Sequence, residues 1–160
     1  MNETTTLDHN KLIKEIKGIT RIVINTCHGG FGLSNEGILH YLDLCGTPVW
    51  SEVQDSLVPF KYWLVPPGPE RLNDPSPREW ASMTVAERQT YNQKYSTQVF
   101  YDRDLPRDDP FLVKTVLDLG ERANGRHAEL KVVEVPSNVD WVIEEYDGKE
   151  WVAEKHRTWS

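Results

Sequence analysis

Cysteine is scarce in this chain of 160 residues, which holds two, Cys27 and Cys45. Neither belongs to a C-x-x-C pair, so no zinc-binding spacing and no disulfide framework is present, and a reducing cytoplasm is the expected location. Positive charge is also short. Eighteen Lys and Arg stand against 25 Asp and Glu, giving a formal net charge of −7. A surface of that sign does not neutralise duplex phosphates, which excludes general double-stranded nucleic-acid binding. A local basic pocket around a small anion stays open. Long apolar runs are missing as well. No stretch approaches the roughly 20 apolar residues of a membrane span, so no membrane partner is expected. Met1 to Asn10 is polar and carries no secretory signal. Hydrophobic content is a modest 38 %, but six Trp, six Tyr and four Phe bury much area each, so one compact core is within reach.

What the chain does have is a glycine-rich turn after an apolar, β-branched run. Ile22-Val23-Ile24-Asn25-Thr26 leads into Cys27-His28-Gly29-Gly30-Phe31-Gly32-Leu33-Ser34. This is how a strand-loop-helix phosphate cradle is built. Glycine lets backbone approach a ligand closely, and free N–H groups at a helix start attract anions. The turn matches neither the P-loop nor the dinucleotide G-x-G-x-x-G pattern. A glycine connection that only packs a helix on its strand is the plain alternative. Cys27 invites a thiol-nucleophile reading, since helix N-termini favour the thiolate. His28 is its neighbour, but adjacent residues on an extended chain point to opposite sides. The base would have to be His40, His127 or His156. A small thiol at the end of a core strand is the simpler reading.

One domain over residues 1–160 is expected, with a flexible tail at 1–10 and a helical turn or two at 11–17. Arg21 to Thr26 reads as a strand buried on both faces. Ser34 caps a helix that Gly46 ends. One or two strands lie within 47–65, followed by a Pro-rich loop insertion at 66–77. Thr84-Val85-Ala86-Glu87 is a capping box and opens a helix to about Tyr95. A short strand follows over Gln98 to Tyr101. Asp109 caps a further helix with Pro110 in its first position, and Asn124-Gly125 ends it. Strands are expected at Leu130 to Val135, Trp141 to Tyr146 and Trp151 to Arg157. The last two are separated by Asp147-Gly148-Lys149-Glu150, where Asp-Gly is a hairpin signal. The fold class is α/β (α+β): a mixed sheet with flanking helices and a C-terminal β-hairpin.

Basic residues gather at the end of the chain. On a strand, Lys155 and Arg157 share a face with Trp151, Ala153 and Trp159, which suits a phosphate beside a stacked base. A charged, solvated edge strand is the alternative. Arg126 follows Gly125 and is a further candidate cation. Asp102, Asp104, Asp108 and Asp109 match no EF-hand loop and read as caps and turns, so no metal is expected. Glu144 and Glu145 alternate across a strand and do not form a side-by-side acid pair.

Three blocks carry a resemblance: Ile24 to Ser34, Tyr101 to Pro110, and Trp141 to Gly148 with Glu154 to Trp159. Together they resemble a family of small proteins of tailed bacteriophages and some large viruses. The resemblance implies a viral context, and by analogy a counter-defence factor that handles a nucleotide signal of the infected bacterium.

The expectation is therefore a binding protein that sequesters a small phosphorylated ligand such as a nucleotide. N–H groups of Gly29, Gly30, Phe31, Gly32 and Ser34, beside Cys27 and His28, would receive phosphate. Arg126, Lys155 and Arg157 would neutralise it, and Trp159 or Trp151 would stack a base. No cofactor is expected, and a homo-oligomer is possible. Two alternatives stand beside it: a hydrolase acting on a nucleotide through Cys27 or a histidine, and an inhibitor of a host protein anchored by Trp50 or Trp63.

Overall fold

The computed structural model describes residues 18–54 and 60–156. The tail at 1–10, the helical turn at 11–17, and Arg157 and Trp159 lie outside the described residues. Helices and strands are interspersed along the chain, and the strands form three small antiparallel sheets among the described residues. The class is α+β, finished by the expected β-hairpin. Backbone contacts gather in two compact units. One takes the described residues up to Ile38 together with those from Leu105 onward, and the other is Leu39–Asp104. No helix among the described residues is long and apolar enough to cross a membrane.

In the first unit, strand β1 (Ile19–Asn25) pairs along its whole length with β5 (Leu130–Pro136). Ile22, Val23, Ile24 and Asn25 are all buried, so both faces of β1 are covered, as its unbroken apolar run predicts. Helix α4 (Pro110–Leu119) contributes Leu112, Val113, Thr115 and Val116 to the same core. Asp109 caps it by accepting from the N–H groups of Phe111 and Leu112, and Pro110 fills the first position. The helix ends at Gly120, φ 56°, earlier than the expected Asn124-Gly125, and a 3-10 turn over Gly120–Ala123 fills the difference.

Strands β6 (Trp141–Tyr146) and β7 (Lys149–Glu154) form the hairpin. Its connection is tighter than the expected four residues. Tyr146 pairs with Lys149 across a two-residue turn, in which Asp147 and Gly148 have φ 49° and 80°. Two positive φ angles are what a type I′ turn needs, and Asp-Gly supplies them. The correction matters, because it moves Glu150 from the turn into the strand. β7 also stops at Glu154, short of the expected Arg157.

Helix α1 (Asn35–Leu44) spans the boundary between the units. Ser34 caps it, its Oγ accepting from Gly37 N–H at 2.9 Å, and Gly46 stands at φ 65° beyond its end.

In the second unit, β2 (Trp50–Val53), β3 (Phe60–Trp63) and β4 (Val99–Phe100) form a sheet in that order. β4 is shorter than the expected Gln98 to Tyr101. The chain leaves β3 and returns at β4, so the proline-rich segment belongs to an excursion between two paired strands. The bond from Leu64 N–H to the Gln98 carbonyl closes its base. The excursion holds α2 (Pro77–Ser82), which composition does not announce, and α3 (Val85–Gln98), which runs one turn past Tyr95. Both helices open with complete capping boxes, Ser76 with Glu79 and Thr84 with Glu87. These bonds hold the Glu79 and Glu87 carboxyls below their ordinary pKa. An aromatic row, Trp80–Tyr91–Tyr95–Trp63, joins the helices to the sheet with ring centroids 5.8, 5.6 and 5.9 Å apart.

Candidate functional site around the glycine turn

The turn after β1 is held by one buried residue. Asn25 is fully buried and its amide makes bonds to three segments. Its Nδ2 donates to the Cys27 and Gly148 carbonyls, each at 2.7 Å, and its Oδ1 accepts from Glu129 N–H at 2.8 Å. One side chain thus ties the turn to the start of β5 and to the hairpin turn. A polar residue at the end of an apolar strand is stable there only because its amide is satisfied at both ends.

The other edge of β1 is closed by a second device. Val23 N–H donates to the Arg107 carbonyl, and Asn25 N–H to Glu150 Oε2 at 2.8 Å. Arg107 meets Glu150 at two points, 3.0 and 2.8 Å, and its guanidinium lies 3.5 Å from the centre of the Phe31 ring. The two side chains are 18 % and 9 % exposed. Bidentate geometry and the aromatic face offset the cost of taking these charges from water. Periodicity does not reveal this pair. The signal was the Asp-Gly turn, which read as two residues puts Glu150 on the inward face of β7.

The glycines serve this packing. A Cβ on Gly29 would stand 1.8 Å from the His127 carbonyl oxygen, and one on Gly125 would stand 2.7 Å from the Gly32 oxygen. One on Gly148 would stand 2.7 Å from Gly30 N. Backbone lies on backbone at all three places, so part of the glycine signal is a joint between segments. A Cβ on Gly30, φ 93°, would instead meet nothing within 4 Å. Gly30 N–H closes a turn onto the Cys27 carbonyl, whereas among the described residues the N–H groups of Gly29 and Phe31 have no hydrogen-bond acceptor.

His28, Arg126 and His127 are all exposed, and the neighbours of Arg126, Gly125 and His127, lie against Gly32 and Gly29. Asp147 is also near, its carboxylate 4.0 Å from His28 Nδ1. Cys27 is half-buried, and its Sγ donates to the His127 carbonyl at 3.2 Å and lies 3.4 Å from Asn25 Oδ1. Both partners are oxygens, and no imidazole is bonded to the thiol among the described residues. Ser34 is taken up by the chain: its Oγ donates to the Arg122 carbonyl while capping α1, and its N–H donates to the Ala123 carbonyl. Gly32 gives its carbonyl to Gly125 N–H.

The structure brings the backbone on both sides of Arg126 to the turn that holds Cys27, His28, Gly29, Gly30 and Phe31. Lys155 is elsewhere. The hairpin turn abuts Gly30, and Lys155 follows the far end of β7, about 20 Å along the strand at about 3.3 Å per residue. Trp63 is 3 % exposed and bonded through Nε1 to Glu52, so it is no surface anchor. No group of three or more His, Cys, Asp or Glu able to hold a metal occurs among the described residues. No family model, curated protein or solved structure matches the chain.

Proposed function

We propose that this protein binds a small phosphorylated ligand at the loop over Cys27 to Phe31 and returns it unchanged. The observation that carries the reading is the pair of uncommitted N–H groups at Gly29 and Phe31, in a turn that meets the backbone on both sides of exposed Arg126 and carries exposed His28. Backbone N–H groups in a glycine loop receive phosphate oxygens without a dedicated catalytic group. The loop is pre-formed by the Asn25 and Arg107–Glu150 bonds, which lowers the ordering cost of binding. Given the resemblance to viral proteins, a nucleotide signal in the cytoplasm of an infected bacterium is the ligand to test first, and its sequestration would be the function. Lys155 takes no part in the core of this site.

Binding is favoured over turnover because Cys27 donates to carbonyl and amide oxygens instead of to a base. The test is incubation of the purified protein with linear and cyclic nucleotides, followed by removal of free ligand and heat release. Recovery of an intact nucleotide, lost in Arg126→Ala, is the expected result. Recovery of a converted nucleotide would place the thiol or a histidine in a catalytic role. Absence of any bound or altered nucleotide would refute the reading.

A further inference from the structure

The C-terminal hairpin has an open edge and an uncovered face that the glycine loop does not use. β6 pairs with β7 alone, so the outer edge of Trp141–Tyr146 carries N–H and C=O groups with no strand partner among the described residues. One face of the hairpin exposes Val142, Tyr146 and Trp151, which are 38, 72 and 42 % accessible. The cross-strand pairs Val142↔Ala153, Glu144↔Trp151 and Tyr146↔Lys149 place these side chains together.

Charge selects the occupant. Glu144 and Glu145 are adjacent on β6, one on each face, and both are exposed. Glu145 stands directly opposite Glu150, a like-charge cross-strand pair. Arg107 neutralises Glu150, whereas Glu145 has no ion pair among the described residues. A second copy of β6 on this edge would bring four glutamates together, so the edge repels itself. The apolar patch of three side chains is also well short of the roughly 800 Å² per partner of a stable interface between folded proteins. A strand bearing Lys or Arg reverses both objections. Its backbone completes the ladder, its cations meet Glu145 on one face, and its apolar residues lie beside Val142 and Tyr146 on the other.

We infer that the outer edge of β6 is a docking site for an extended, basic segment of a protein partner, which adds to the hairpin as a third strand. The probe is a capped six-residue peptide alternating Lys and Val, titrated into the ¹⁵N-labelled protein. Saturable shifts confined to the amides of 141–146 and their β7 partners are expected. Affinity should fall at least fivefold in Glu145→Gln. It should vanish for the same peptide N-methylated at alternate residues, which keeps the charge but removes the strand donors. No binding, equal binding of the N-methylated peptide, or shifts centred elsewhere would each overturn the inference. So would self-association of the free protein through this hairpin.

Discussion

Arg107 and Glu150, 43 residues apart in the chain, close the open edge of β1 with a two-point ion pair laid against Phe31. The pair has two tasks. It occupies the edge that a third strand would otherwise take, and it fixes Phe31 at the end of the uncommitted N–H groups.

Breaking that pair should be costly. Glu150→Ala removes the acceptor of Asn25 N–H and leaves a guanidinium with little solvent, a loss of about 3–5 kcal/mol. Arg107→Lys should recover little, because an ammonium does not reproduce the planar fork or its stacking on Phe31. Amide hydrogen exchange at Ile22, Val23 and Ile24 reads the effect directly. Unchanged protection in Glu150→Ala would show that the pair is ornamental.

The two neighbouring glycines should behave differently. In Gly29→Ala the new methyl meets the His127 carbonyl, which is backbone and does not yield, so a loss near the upper end of about 1–3 kcal/mol is expected. Gly30→Ala meets open space and bears only the strain of φ 93°, about 1–2 kcal/mol. Denaturant unfolding of the two variants should rank Gly29→Ala as the worse. The reverse order would mean that the joint between the turn and His127 is looser than described.

Much of the frame was legible in the sequence, and the reason is local chemistry. Asp109-Pro110 announces a helix start because both residues act on the orphan N–H groups beside them. Asp147-Gly148 announces a hairpin because both residues tolerate positive φ. The devices that hold the glycine turn were not legible. Asn25 bonds to Gly148 and Glu129, and Arg107 bonds to Glu150, over separations of 43 to 123 residues, and no period or spacing encodes such partners. The aromatic strength of 50–63 was legible, but whether Trp63 faces solvent or Tyr95 depends on helix α3, which lies outside that segment.

Alkaline pH should loosen the second unit before the first. Burial, reinforced by Asp102, pushes the Tyr62 phenol up to about 12. The unfolded phenol ionises near 10. Between these values the folded state holds a proton that the unfolded state releases, so the contribution of Tyr62 is complete below about pH 10 and is lost as pH rises toward 12. Exchange protection at Tyr62 and Val99 should fall across that window, and Tyr62→Phe should flatten the fall. An unchanged slope in the variant would place the titration on another group.

Thr115 is fully buried in α4, and its hydroxyl has no hydrogen-bond partner among the described residues. Valine has nearly the same shape and no polar group to strand. Thr115→Val should therefore raise stability, by about 1 kcal/mol, since it removes an uncompensated hydroxyl from the core. A drop in the unfolding midpoint would show that the hydroxyl has a partner in solution.

The most direct test of the central claim is a titration of the ¹⁵N-labelled protein with inorganic pyrophosphate, following every backbone amide. Saturable shifts at Gly29, Gly30 and Phe31 are expected, weakened in Arg126→Ala, with Lys155 unmoved. Shifts absent from the loop, or centred on Lys155 or the second unit, would contradict the claim.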